Sequence, residues 1–216
     1  MSIDEVDTPA LIVDLDALEA NLDHMAALAA AAGVKVRPHA KTHKSPVIAH
    51  MQMARGAIGQ CVQKVAEAEI LAWGGVTDIL VSNEVVSPRK LARLAALTHF
   101  SRIAICADDL YGIDLIEAAA RDAGVRLTVL IEIDVGSGRC GIAAGPDAVV
   151  AAKRIAQSGR LRFGGLQAYH GGAQHQRTQE ERSASIAAAA LKTRAVVDDL
   201  RRAGLDCASV SGAGTG

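Results

Sequence analysis

Short β-branched runs alternate with long alanine-rich stretches along the whole chain, and that alternation limits the folds open to it. The apolar runs fall at residues 10–14, 34–38, 57–61, 78–82, 102–107, 127–134, 164–169 and 208–212. They are continuous rather than alternating, as in parallel strands covered on both faces. Helix punctuation lies between them. Asp16 and Glu19 make a capping pattern, Leu18, Leu22, Met25 and Ala29 share one face, and Gly33 stops the helix. Ser45-Pro46 and Ser87-Pro88 read as N-cap followed by Pro at the first helical position. Asp108 or Asp109 starts a helix that ends at Gly124, Pro146 opens one that ends near Gly159, and Thr178 with Glu181 caps a long helix running to Gly204.

Strand–helix alternation at this spacing means βαβ units and a parallel sheet, either open and doubly wound or closed as a (β/α)8 barrel. The polar residues favour the barrel. Barrel chemistry gathers at the C-terminal ends of many strands, whereas an open sheet concentrates it at one switch point. Here strand after strand exits into polar residues: His39 to Lys44, Gln60 and Gln63, Asn83-Glu84, Asp134 to Arg139, Tyr169 to Gly172, and Ser211 onward. Counting from residue 34 gives seven strands, so the expectation is a parallel (β/α)8 TIM-type barrel that stops before its last strand. Residues 1–216 then form one barrel domain.

Half of the residues are hydrophobic, enough for a large core, yet the aromatics are only two Phe, two Tyr and one Trp. The formal net charge of −1 gives no surface for nucleic acid or anionic membrane. Cys61, Cys106, Cys140 and Cys207 form no C-x-x-C pair and read as free thiols in a reducing compartment. No run has the length and flanks of a signal peptide or membrane span, so a cytoplasmic protein is expected.

Several strand exits carry candidate chemistry. Lys41 follows the first barrel strand; burial at an apolar strand end would free its amine to attack a carbonyl, although an isolated lysine is more often a surface residue. Ser211-Gly-Ala-Gly-Thr-Gly216 offers small residues and backbone N–H groups to a phosphate, without the spacing of a dinucleotide fingerprint. Glu132 and Asp134 share one strand face, and Arg139, after a Gly-Ser-Gly turn, can pair with them or with a ligand oxygen. Tyr169 offers a phenol to a ring nitrogen, and His170 and His175 offer groups that move protons near neutral pH. The pairs His39/His43 and His170/His175 match no metal motif, and no metal is placed on this chain.

Taken in order, Asp7-Thr-Pro-Ala-Leu-Ile-Val-Asp-Leu-Asp16, Arg37-Pro-His-Ala-Lys-Thr-His-Lys44, Gln63-Lys-Val-Ala-Glu-Ala-Glu69, Ser82-Asn-Glu-Val-Val86, Glu132 to Gly141 and Tyr169 to His175 resemble the alanine-racemase-like (fold type III) pyridoxal phosphate enzymes, in the D-threonine aldolase and D-serine dehydratase branch. The resemblance spans the whole chain. It implies that Lys41 bonds to pyridoxal 5'-phosphate and that Arg139 lies near the cofactor's phenolic oxygen. Tyr169 would lie by the pyridine ring, and Ser211, Gly212, Gly214 and Thr215 would hold the phosphate. His175 matches the base on the substrate hydroxyl in the aldolase branch. The implied activity is cleavage of a D-3-hydroxy-amino acid to glycine and an aldehyde. The alternatives are dehydratase-type elimination from D-serine or 3-hydroxy-D-aspartate, and a non-catalytic cofactor carrier. The resemblance further implies a C-terminal β-domain with a His plus Cys or Asp pair for a manganese-type or zinc-type ion, and a homodimer. None of that β-domain lies in these residues, so the chain alone is expected to lack activity.

Overall fold

The computed structural model describes residues 2–213. Its centre is a parallel sheet built from β1 (Gln60–Val62), β2 (Asp78–Glu84), β3 (Arg102–Ala107), β4 (Leu127–Asp134), β6 (Leu161–Ala168) and β7 (Val210–Gly212), paired in that order. The two-residue β5 (Ile142–Ala143) pairs beside the end of β4. Each new strand docks next to the one before it, and the sheet curls into part of a (β/α)8 barrel. The helices are α1 (Leu15–Ala31), α2 (Pro46–Ala54), α3 (Val65–Trp73), α4 (Pro88–Ala96), α5 (Leu110–Asp122), α6 (Pro146–Ala156) and α7 (Gln179–Arg202).

The strand residues divide cleanly between two faces. Ile79, Val81, Ile103, Ile105, Val129, Ile131, Ile133 and Leu166 join the main core with helix residues such as Leu71, Leu91, Leu94, Ile113, Ile116 and Ile155. Cys61, Leu80, Cys106 and Leu130 form a second, smaller cluster with Ala104. In β3 and β4 the two sets alternate residue by residue, so the smaller cluster fills the concave side of the sheet.

The 102–107 and 127–134 runs become strands at the expected bounds. The 78–82 run extends to Glu84, and the 164–169 run begins earlier, at Leu161. Its double glycine marks a shift in register between β4 and β6. Gly165 sits at φ +121, and a Cβ there would collide with the Ser209 carbonyl oxygen.

The expected strands at 57–61 and 208–212 begin later, at Gln60 and Val210, and two other expected strands do not form. Residues 34–38 are extended but do not form a ladder. Ile58 N–H donates to the Val36 carbonyl (2.9 Å), Cys61 N–H to Pro38 (2.7 Å) and Ala40 N–H to Cys61 (2.8 Å), with a single parallel bridge at His39. Pro38 has no N–H to contribute, which leaves this edge one-sided. Residues 10–14 form no strand. Leu11, Ile12 and Val13 are exposed, Leu11 fully at 102%. On α1 only Ala29 is buried, while Met25 of the expected apolar face is exposed.

The caps follow the sequence with one correction. Ser45 and Asp109 accept N–H groups from Ile48 and Gly112, and Thr178 with Glu181 closes a reciprocal box. The first helix is capped by Asp14, whose carboxylate accepts from Ala17 N–H at 2.9 Å; Asp16 lies inside it. Both aspartates suit a cap, and the extended backbone at Asp14 decides between them. Among the described residues no helix is long and apolar enough to cross a membrane.

Candidate active site

The site lies where the strands end. At one side the chain turns sharply after His39. Lys44 N–H closes the turn onto the Ala40 carbonyl at 2.8 Å, and Lys44 itself adopts φ +51. A left-handed lysine is a strained choice that the surrounding contacts must hold. Ala40, buried, anchors the turn, and His39 Nδ1 accepts Lys41 N–H at 3.2 Å. Ser45 N–H donates to His43 Nδ1 at 3.0 Å. Burial lowers the pKa of both histidines, and each Nδ1 accepts a backbone N–H. Lys41 is presented at the apex of this turn. Its side chain is exposed, not buried as the desolvation argument required.

The connection after β4 supplies the opposing cation. Asp134 Oδ1 accepts N–H groups from Gly136 (2.9 Å), Ser137 (2.9 Å) and Gly138 (3.1 Å). Those bonds hold its carboxyl below the usual range and fold the loop that carries Arg139. Asp134 is therefore occupied by backbone, and only Glu132 of the two acids faces Arg139, at 4.0 Å. The Arg139 guanidinium lies over the Tyr169 ring, 5.5 Å from its centroid. Gly171 leaves the space for that phenol, since a Cβ there would stand 2.6 Å from the Tyr169 hydroxyl.

His170 is a tie rather than a free base. Its Nε2 meets Ser185 Oγ on α7 at 2.8 Å, and its Nδ1 meets Ser137 Oγ at 3.3 Å. His175 ends the 3-10 turn Gly171–His175 after β6 and is exposed, with Nε2 3.4 Å from the Gln174 side chain. Ser211 and Gly212 lie on β7; a Cβ at Gly212 would come within 2.7 Å of the Ala168 carbonyl. Gly214 and Thr215 lie outside the described residues.

Sequence reasoning missed three neighbours. Glu84, at the end of β2, registers with Cys106 of the concave cluster. Cys140 donates its thiol to Glu132 Oε1 at 3.3 Å instead of being an idle thiol. Gln167 stands beside Glu132 in the β4–β6 register and is buried. Strand register, which the sequence does not display, brings them together. The available signal was parity: Glu132 and Gln167 occupy the concave-facing positions of otherwise apolar strands.

Against known proteins, residues 13–216 match the alanine racemase N-terminal domain model. The chain belongs to that family. It is 46% identical over 98% of its length to D-threonine aldolase of an Arthrobacter species, covering 56% of that protein. It is 43% identical to 3-hydroxy-D-aspartate aldolase of Paracoccus denitrificans strain Pd 1222, over its full length and 56% of the relative. The crystal structure of D-threonine aldolase from Filomicrobium marinum superposes with a TM-score of 0.95 at 49% identity, across 98% of this chain and 57% of that one. The chain thus spans little more than half the length of the relatives it matches.

The residues here fit the pyridoxal phosphate that the family resemblance implies. An amine, a guanidinium, a phenol, a serine hydroxyl and a glycine strand exit suit a ring bearing an aldehyde, a phenolic oxygen and a phosphate. The oxygens Glu84 Oε1 and Gln167 Oε1 are buried without a partner at the same strand ends, as in a cradle built to receive a polar group.

Proposed function

We propose that this chain is the cofactor-binding part of a pyridoxal-phosphate-dependent lyase that cleaves D-3-hydroxy-amino acids, in the manner of D-threonine aldolase, to glycine and an aldehyde. The observation that carries it is the Arg139 guanidinium over the Tyr169 ring, 5.5 Å from its centroid, in a chain 46% identical to such an aldolase; Lys41 and the β7 residues follow strand ends of the same sheet.

Lys41 would hold the cofactor covalently, Arg139 would donate to its phenolic oxygen, and Tyr169 would lie against its ring. Ser211 and Gly212, with Gly214 and Thr215 beyond them, would bind its phosphate. When bound, the cofactor supplies an electron sink for the substrate carbon whose bond is broken. His175 takes the proton from the substrate's β-hydroxyl, the Cα–Cβ bond breaks, and the aldehyde departs. Its exposed place on the β6–α7 connection leaves it open to an incoming substrate. The resemblance implies a divalent ion of manganese or zinc type, which a His with Cys or Asp pair outside these residues would hold.

A second reading rests on D-threo-3-hydroxyaspartate dehydratase of Delftia sp. strain HT23, 33% identical over 95% of the chain. Incubation of the full-length protein with pyridoxal phosphate, a divalent metal and D-threonine separates the two. Glycine with acetaldehyde supports cleavage. A 2-oxo acid with ammonia replaces it with elimination, and no turnover with cofactor bound leaves a carrier.

A further inference from the structure

The concave side of the sheet holds more acid than its neighbours balance. Glu132, only 4% exposed, lies beside Glu84, and their oxygens and Cys140 Sγ all fall within 4.8 Å of one another. Glu84 Oε1 in this cluster is itself buried without a partner. Two ionised carboxylates this close and this far from water repel each other, and one proton held between them relieves the repulsion. Among the described residues the cation paired with Glu132 is Arg139, which reaches it at 4.0 Å from a side chain that is 64% exposed. One largely exposed guanidinium does not offset a buried and a half-buried negative charge.

We propose that Glu84 and Glu132 act as an acid pair holding one shared proton, and that this pair presents a single negative charge to Arg139 and so positions the guanidinium over Tyr169 for the cofactor's anionic oxygen. The role toward the cofactor rests on the function proposed above; the shared proton does not.

The surroundings favour one charge over two. Burial raises Glu132 to about 7, with Glu84 as the next cause. Burial and then Glu132 push the Cys140 thiol up to about 12, and burial raises Cys106 on β3 and Cys61 on β1. The thiols facing the pair therefore stay protonated at neutral pH, and Arg139 stays a cation. Cys140 donates to the Glu132 oxygen nearest Arg139, which leaves the other carboxylate edge for Glu84. Loss of the shared proton would place a second negative charge beneath the site, drawing Arg139 inward and repelling an anionic cofactor.

Infrared spectroscopy of the full-length protein, with or without cofactor, tests the proton directly. The wild type is expected to show a protonated-carboxyl band at pH about 6 that fades by about 8.5, and neither E84Q nor E132Q is expected to show it. Absence of the band from the wild type, or its survival unchanged in either variant, overturns the pair. So does a stoichiometric divalent ion held by Glu84, Glu132 and Cys140 in the purified protein. Pyridoxal phosphate affinity then tests the positioning. It should weaken several-fold more in the wild type than in E84Q across the same pH range, because glutamine keeps a hydrogen bond and never ionises. Parallel pH profiles would refute the role. Failure of D-threonine cleavage with the band present sinks only the aldolase reading.

Discussion

The two faces of the sheet are built from the same strands and do opposite work. The helix-facing side is mostly Ile, Val and Leu, with Ile79, Ile105, Val129, Ile131 and Ile133 at most 1% exposed; its buried Gln60 donates to Gln52 on α2. The concave side has two leucines, two thiols and an alanine at its base, then Glu84, Glu132 and Gln167 toward the strand ends. The first face supplies burial, and the polar Gln60 within it is paired. The second gives up burial to keep charged and hydrogen-bonding groups dry. The comparison predicts that stability and chemistry separate by residue parity along a single strand.

Lys41→Ala makes the largest difference, and only to chemistry. The covalent cofactor absorbance and turnover should vanish while the melting temperature of the cofactor-free protein stays put, since the Lys41 side chain is exposed. A band that borohydride still fixes to the variant would remove Lys41 from the role. Ile131→Ala, on the helix-facing side of β4, should cost about 2–5 kcal/mol in urea unfolding, from lost transfer energy and a cavity. If it costs as little as a surface change, the helix-facing core is not where the stability lies. Asp134→Ala tests an acid that the sequence grouped with Glu132 but that serves backbone. Loss of its three N–H partners should cost about 1–3 kcal/mol and weaken cofactor binding through the Arg139 loop. Its low carboxyl pKa sets the sign with pH: the contribution is present above the unfolded value and is lost as pH falls through the folded one. The smallest effect belongs to Arg154→Ala. This residue pairs with Asp114 and Glu117 between α5 and α6 near the surface, and double-mutant cycles should return about 1 kcal/mol or less.

The strands read best from sequence were those enclosed on both faces. The 102–107 and 127–134 runs have no solvent side to blur their ends, and both match their observed bounds. Residues 10–14 carry the same kind of apolar run and form no strand, because composition records a preference for burial and not the presence of a partner. The site divides similarly. The Lys41 turn, the Arg139 loop and Tyr169 are local in sequence and were legible there. The Glu84–Glu132–Cys140 cluster joins β2, β4 and the loop after β4 through register, which no local pattern encodes. Desolvation of Lys41 failed for a related reason: the lysine is placed by a turn and not sunk into the strand end.

The order of the sheet also governs how the molecule comes into being. Because β1, β2, β3, β4, β6 and β7 lie side by side in the order of synthesis, every strand leaving the ribosome finds its docking edge already made by its predecessor. No strand waits for a distant partner, which keeps loop-closure costs low at each addition. Growth by accretion leaves an advancing front, and β7 is that front among the described residues, paired on one side with β6 alone. In a sheet built this way each newest strand is an open edge until another backbone pairs with it.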